Sequence, residues 1–463
     1  MSENQENNIV TVELLQKYDR PGPRYTSYPT APVWSDKVTA GTYQKALKKA
    51  SEKKETPFAI YCHIPFCHTR CYYCGCNTCI TKEQDKVTRY LGYMDNELTN
   101  VSKLLGERRR VNQFHFGGGT PTYIGIEGLQ KIVQRFGSVF ELTKDCEISI
   151  EVDPRTTSSD DIRKLREIGF NRISFGVQDF DPEVQNEIGR KQSIECVQGL
   201  LTTAREVNYK GINFDLIYGL PSQTPDSFDR TLDICIAMRP DRVALYSFAY
   251  LPKLRPNQRK IKADKLPDTE TKYRLFSDAV KKFTKAGYLQ IGMDHFALPE
   301  DELAQAQNNG RLHRNFMGYT IQSAPDMIGF GMSSIGYIND TFIQNSSQLE
   351  TYEELMDNNG FAVYRGLELS QDDLIRQYVI SNLMCNFNVS FDDLTYKFGV
   401  KYEEYFAEDD SLLAPFIEDG FLIQTNEGMR VTKLGRTFVR NIAMTFDAYL
   451  KDPDQKTIFS RTI

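Results

Sequence analysis

The sequence contains no run of the roughly 20 consecutive apolar residues that a membrane-spanning helix needs, and even its apolar region from Asp326 to Ile338 is short and broken by glycine and serine. It also lacks an excess of basic charge. Fifty-six Lys and Arg stand against 62 Asp and Glu, a net charge of −6, so no global positive field draws in nucleic acid or anionic lipid. The stretch from Met1 to Asn8 is polar and acidic where a secretory leader would be basic and then apolar, which leads us to expect a cytoplasmic protein. Internal repeats and low-complexity segments are missing as well. What remains is an ordinary globular composition over 463 residues, enough for two or three domains with a sizeable core.

From about residue 58 to 250, short β-branched or aromatic runs alternate with longer amphipathic stretches, the pattern of βα units around a parallel sheet. Six strands are expected, at 58–64, 113–116, 147–152, 172–177, 212–218 and 242–250. The clearest helix carries Val87, Leu91, Met94, Leu98, Val101 and Leu105 on one face. A second is announced by Ser158-Ser159-Asp160-Asp161 and stops at Gly169. Periodicity does not choose between an open doubly wound sheet and a partial barrel, but both place their chemistry at the C-terminal ends of the strands.

Residues 1–50 contain no βα unit and read as an extended arm built around Arg20-Pro21-Gly22-Pro23-Arg24-Tyr25-Thr26-Ser27-Tyr28-Pro29-Thr30. Residues 51–365 form the βα region and its extension. Residues 366–463 form a helical domain ending in an expected hairpin, 421–424 and 429–432 around Asn426-Glu427-Gly428, which gives it a winged-helix-like character. From residue 370 onward it holds ten basic and fifteen acidic side chains, which speaks for a lid or interaction role and against DNA.

Six of the ten cysteines, Cys62, Cys67, Cys71, Cys74, Cys76 and Cys79, crowd into eighteen residues. In a reducing compartment that crowding points to metal or redox chemistry rather than disulfides. Cys146, Cys196, Cys235 and Cys385 are scattered and read as small buried hydrophobes. Cys67, Cys71 and Cys74 make a C-x3-C-x2-C loop just after the first strand. A [4Fe–4S] cube has four irons, so three cysteines leave one iron open to a non-protein ligand, an arrangement for catalysis. Zinc on Cys67, Cys71, Cys74 and Cys76 is the rival, disfavoured because no second ligand pair follows at the usual spacing. His63 and His68 are read as packing in the strand and shaping the loop.

Gly117-Gly118-Gly119-Thr120-Pro121-Thr122 follows the second strand, where consecutive glycines let backbone approach a ligand closely. It lacks the Lys-Ser/Thr of a phosphate loop, and Gly329-Phe330-Gly331 does not fit the dinucleotide fingerprint. Alone, the run reads as a tight turn.

Together with the cysteine loop, however, the glycine run resembles the radical S-adenosylmethionine (SAM) superfamily. Arg24 to Thr30, Gly75-Cys76-Asn77, Gly117 to Tyr123, Glu151-Val152-Asp153-Pro154, Gly176 to Phe180, Asp215 to Pro221 and Gly292-Met293-Asp294-His295-Phe296 look like the bacterial oxygen-independent coproporphyrinogen III oxidases. The resemblance runs from about residue 17 to the C-terminus. It implies a partial (β/α)6 radical-SAM barrel with an N-terminal arm and a mostly helical, winged-helix-like C-terminal domain, one [4Fe–4S] cluster on Cys67, Cys71 and Cys74, and two SAM molecules. The first SAM is expected at Tyr61, Gly118, Glu151 and Ile335. The second is expected at Tyr73, Gly119, Thr120, Gln178, Arg190, Asp215 and Ala249.

The implied chemistry is one-electron cleavage of SAM to methionine and a 5′-deoxyadenosyl radical. That radical takes hydrogen from the β-carbon of a propionate, which then loses CO2 and an electron to become a vinyl group. Two such events turn coproporphyrinogen III into protoporphyrinogen IX in haem biosynthesis. The implied partners are that substrate and an electron donor such as a flavodoxin or ferredoxin system, with no nucleic acid, no membrane, and the chain a monomer.

A haem chaperone of the same superfamily is the runner-up, set aside because that group typically lacks the long arm and the Gly75-Cys76 ending. A porphyrin-modifying radical enzyme with another outcome is the third reading. Met317 departs from the family, whose members can carry Gln there beside the second SAM. Cys76 is open between substrate contact, proton delivery and loop packing. The arm either closes Arg24 and its tyrosines over the substrate or only buries aromatics against the barrel. Arg108-Arg109-Arg110 reads as a solvated charge run before the second strand rather than as the grip for substrate carboxylates.

Overall fold

The structure, a computed structural model, describes residues 10–321, 324–451, 459 and 461–462. The acidic start of the arm and residues 452–458 of the C-terminal domain therefore lie outside the described residues. One twelve-stranded sheet organises the molecule. Its strands are β1 (Phe58–Ile64), β2 (Arg110–Gly118), β3 (Glu141–Val152), β4 (Arg172–Gln178), β5 (Gly211–Tyr218), β6 (Arg242–Ser247), β7 (Leu289–Ile291), β8 (His295–Ala297), β9 (Met327–Phe330), β10 (Ile335–Ile338), β11 (Thr341–Asn345) and β12 (Val363–Glu368). Across the sheet they run β12-β11-β10-β9-β1-β2-β3-β4-β5-β6-β8-β7.

Strands β1 to β6 lie side by side in sequence order, and β9 joins β1 in parallel. The order never reverses, so there is no switch point of the doubly wound kind. The sheet is a barrel left open, its two ends finished by antiparallel strands. The β2 and β3 strands extend several residues before their expected starts, and β6 ends at Ser247 rather than Tyr250.

The outer faces of the strands carry Ile60, Phe114, Phe116, Ile150, Phe175, Phe214 and Leu245, all buried in one hydrophobic core with the surrounding helices. The helix Gln84–Leu105 covers this core with Val87, Met94, Leu98, Val101 and Leu105 buried, as its spacing foretells; Leu91 is only half-buried. The helix Ser159–Ile168 starts on a capping box between Ser158 and Asp161 and ends at Gly169 in the left-handed conformation.

Two expectations are corrected. The arm is not merely extended, for it contains the helices Val12–Tyr18 and Ala40–Ala50. The second packs Tyr43, Ala46, Leu47 and Ala50 into the barrel core, an i, i+3, i+4, i+7 stripe. Arg108 is not a solvated charge. It is fully buried, 2.6 Å from the carboxylate of Asp326 just before β9, and donates to the carbonyls of Thr56 and Ala50. The arm's Tyr18, Tyr25 and Tyr28 are buried in the core of the C-terminal region, with the Tyr25 hydroxyl donating to Asp447. Arg24 donates to the Ser247 carbonyl and lines a separate cavity of about 60 Å³.

That C-terminal core gathers Ile375, Val379, Leu383, Phe438 and Ile442. The expected hairpin forms as Leu422–Gln424 paired antiparallel with Gly428–Val431. A third strand, Asn388–Ser390, adds to it. Cys146, Cys235 and Cys385 are buried as expected, while Cys196 is partly exposed and donates to the Pro154 carbonyl. Among the described residues no helix is long and apolar enough to cross a membrane.

Candidate active site

Because side chains alternate across a strand, the residues between the core-facing ones point into the barrel, and here they are polar: His115 on β2, Ser149 and Glu151 on β3, Ser174 on β4, Asn213 and Asp215 on β5, and Tyr246 on β6. They line a cavity of about 380 Å³ whose rim is the cysteine loop and the glycine run.

Cys67, Cys71 and Cys74 all line that cavity, with Cys76 beside them. Among the described residues no three such side chains are placed to hold a single metal ion; three cysteines on one cavity rim fit a cube whose separate irons take separate cysteines. Cys71 Sγ is met by two guanidinium donors, Arg155 Nη2 at 3.5 Å and Arg190 Nη1 at 3.7 Å, and the Thr120 hydroxyl lies 3.4 Å from Cys67 Sγ. Burial pushes the Cys67 thiol up to about 11, whereas a hydrogen bond with Cys76 holds Cys74 below its ordinary value against its own burial. Donors aimed at sulfur fit thiolates and a sulfide cluster.

The loop keeps its shape through a short 3-10 turn, Pro256–Lys260, that sequence reasoning missed. Asn257 Nδ2 donates to the carbonyls of Cys71, Tyr72 and Cys74, and Gln258 Nε2 to those of Tyr73 and Ala249. An Asn-Gln pair in a polar loop carries no signal of its own; only the fold brings it to the cysteines.

The glycine run is both turn and wall. Gly118 has φ +115°, and a Cβ there would lie 2.7 Å from the His63 ring; one on Gly119 would lie 2.6 Å from the Pro65 carbonyl. The two residues are thereby pressed against β1 and the start of the cysteine loop. His63 is buried, 3.0 Å from the Tyr61 hydroxyl and 2.9 Å from the Asn77 carbonyl, while His68 is exposed against the Tyr123 ring. His63 thus packs in the strand, and His68 lies at the loop surface.

Glu151 accepts from Gly118 N–H at 3.3 Å and lies 3.3 Å from His115 Nε2. Desolvation raises its pKa, but the hydrogen bond and charge of His115 with the Gly118 N–H outweigh it and leave the carboxyl below its ordinary value. Asp153 is held down in the same way, burial being outweighed by Arg155 at 2.6 Å and Arg190 at 3.0 Å. Arg190, which the sequence alone would leave on the surface, is 6% exposed; its Nη2 donates to the Gly176 carbonyl at 2.7 Å.

Asp215 accepts from Ser174 and Asn213 at 2.9 and 2.8 Å, yet burial and the charge of Glu151 push it up to about 7. A carboxyl raised from 3.8 to about 7 contributes stability that is fully present below about pH 4 and lost as pH rises through 7. Thermal midpoints from pH 4 to 8 should therefore fall more steeply for the wild type than for Asp215→Asn. Parallel profiles would contradict the assignment.

Eleven of the fourteen residues expected at the site line this cavity: Cys67, Cys71, Tyr73, Cys74, Gly118, Gly119, Thr120, Glu151, Gln178, Arg190 and Asp215. Tyr61, Ala249 and Ile335 do not. Tyr61 stacks on His115, Ala249 offers its carbonyl to Gln258, and Ile335 opens β10 with its carbonyl against Gly329. Met317, on the turn between His313–Asn315 and Gly318–Thr320, reaches the cavity wall, as do His295 and Tyr319. Two buried polar atoms of the lining, Arg190 Nε and Asn213 Oδ1, have no protein partner, leaving one donor and one acceptor for a ligand.

An open parallel barrel with three cysteines on its first loop and a glycine run on its second defines the radical SAM superfamily, whose family model matches residues 61–235. A second model, the HemN C-terminal domain, matches residues 369–438. The oxygen-independent coproporphyrinogen III oxidase of Salmonella typhimurium is 44% identical over 97% of this chain and 98% of its own, and that of Synechocystis 41% over 98% of each. The solved coproporphyrinogen III oxidase HemN of Escherichia coli, described as a radical SAM enzyme, superposes with a TM-score of 0.91 at 42% identity, over 96% of this chain and all of that one. The chain belongs to the oxygen-independent coproporphyrinogen III oxidases, and its cofactors are a [4Fe–4S] cluster and SAM.

Proposed function

We propose that this chain converts coproporphyrinogen III to protoporphyrinogen IX without oxygen, turning two propionates into vinyl groups for haem biosynthesis. The observation that carries this reading is the single cavity shared by Cys67, Cys71, Cys74, the glycine run and the paired groups around Arg190. Bound there, the cluster and SAM supply the electron and the 5′-deoxyadenosyl radical that removes hydrogen from the propionate β-carbon.

The protein's own work is to hold and exclude. Cys67, Cys71 and Cys74 take the cluster, with Arg155 and Arg190 directed at Cys71 and Asn257 pinning the loop backbone. A first SAM is read at Gly118 and Glu151, the ionised carboxylate suiting an ammonium or ribose hydroxyls, with Tyr61 and Ile335 contributing from behind. A second SAM is read at Tyr73, Gly119, Thr120, Gln178, Arg190 and Asp215 with the Ala249 backbone. The free Arg190 Nε suits a carboxylate, and a protonated Asp215 can donate a hydrogen bond. Met317 in the cavity wall offers no amide to that second molecule.

The parts are read as an arm of residues 1–50, a barrel region of 51–365 and a C-terminal domain of 366–463, together shielding a reactive radical from water. We read the protein as a cytoplasmic monomer reduced by a flavodoxin- or ferredoxin-type carrier, with no nucleic-acid or membrane partner.

The test is anaerobic turnover of coproporphyrinogen III with SAM and a reductant. Protoporphyrinogen should form with two deoxyadenosines for each product. Tight haem binding without SAM cleavage would overturn the reading in favour of a chaperone.

A further inference from the structure

The chain is acidic overall, yet residues 251–265 hold Lys253, Arg255, Arg259, Lys260, Lys262 and Lys265 against a single acid, Asp264. Among the described residues Lys265 alone of the six has a carboxylate partner, Glu187. Lys253, Arg259, Lys260 and Lys262 are exposed, and Leu251 and Leu254 beside them are 42% and 74% exposed, two apolar side chains in a ring of cations.

This segment is laid directly on the back of the cysteine loop. Its Asn257 and Gln258 bind the carbonyls of Cys71, Tyr72, Tyr73 and Cys74, Arg255 donates to Asn77, and Lys260 lies 4.7 Å over the Tyr72 ring. The segment that carries the patch is thus hydrogen-bonded directly to the backbone of the cysteine loop. Unneutralised charge gathered at one place on an oppositely charged protein steers a complementary partner to that place. Exposed leucines at its centre give the contact an apolar anchor.

We propose that this face, centred on Leu254 with Lys253, Arg259 and Lys262, is where an acidic one-electron carrier protein docks to reduce the cluster. The inference rests on the radical SAM reading above, which requires one electron for each SAM cleaved. Electron tunnelling weakens steeply with distance, so the carrier must approach the cysteine loop closely, and here the short route and the favourable charge coincide. With a flavodoxin as carrier, the anionic flavin hydroquinone gives up one electron and is left as the neutral semiquinone, while the cluster passes from its 2+ to its 1+ state.

The test uses the holoenzyme, the triple variant Lys253→Glu/Arg259→Glu/Lys262→Glu, and a control triple Lys48→Glu/Lys49→Glu/Lys53→Glu with the same change in net charge at an exposed site where the arm meets the barrel region. Flavodoxin hydroquinone is the probe, and both complex formation and the rate of cluster reduction are followed at low and high salt. The patch variant should bind flavodoxin and be reduced by it about tenfold or more slowly than wild type at low ionic strength, with the difference shrinking as salt screens the charges. The control variant should lose much less. Turnover driven by a chemical reductant should survive in all three proteins, which separates failure of docking from failure of the enzyme reading. Equal flavodoxin binding and reduction in the patch variant and wild type, or equal losses in patch and control variants, would overturn the proposal.

Discussion

Cys71→Ser should abolish SAM cleavage and porphyrin formation while leaving the fold intact. Cys71 is buried on a loop but belongs to none of the hydrophobic clusters, so a near-isosteric serine should leave the cores intact. A serine hydroxyl keeps the size and the hydrogen-bonding reach of the thiol but remains protonated where a thiolate ligand is required. Loss of partners that merely orient a metal ligand costs about 10–100-fold in metal affinity or activity, so loss of a ligand should exceed that and leave turnover at background. Circular dichroism should be unchanged, and the visible absorption of the cluster should be lost or sharply reduced. Retention of wild-type turnover would remove Cys71 from the cluster.

The second large effect belongs to Arg190→Leu. Arg190 is buried where Asp153, the Cys71 thiol and the Gly176 carbonyl meet. Breaking a buried ion pair by deleting one partner typically costs about 3–5 kcal/mol because the other charge is left behind. Arg155 still holds Asp153 in this case, so the lower end of that range, about 3 kcal/mol, is expected. The same change removes the unpaired Nε donor from the cavity, and SAM affinity should fall together with stability. Arg190→Lys, which keeps the charge but not the planar fork, should recover much of the stability and little of the SAM affinity. Equal SAM affinity in Arg190→Leu and wild type would confine the residue to a structural role.

Much of this architecture is legible from local pattern. The β1 strand and the helix Gln84–Leu105 follow from residue type and period, and the Ser158/Asp161 capping box with Gly169 fixes the ends of another helix. The choice of a barrel over a doubly wound sheet is legible only through the family resemblance, because strand order is a long-range property that the period of a strand does not encode. Arg108 reads as a surface charge beside two other arginines, and only pairing with Asp326, more than two hundred residues later, takes it inside.

The site divides in the same way. Cysteine spacing and the family resemblance locate the cluster loop and glycine run, and the polar residue at every second position of β2 to β5 is a further signal that marks His115, Ser149, Ser174 and Asn213 on the lining beside the expected Glu151 and Asp215. Asn257 and Gln258 had no such signal. Their role comes from a turn folded onto the loop from a distant part of the sequence.

The most direct measurement of the whole account is the iron, acid-labile sulfide and SAM-cleavage stoichiometry of anaerobically prepared protein. About four irons and four sulfides per chain are expected, with methionine and 5′-deoxyadenosine released when reductant is added. Protein that folds yet binds no sulfide, or a Cys67→Ser or Cys74→Ser variant that still cleaves SAM at the wild-type rate, would contradict it.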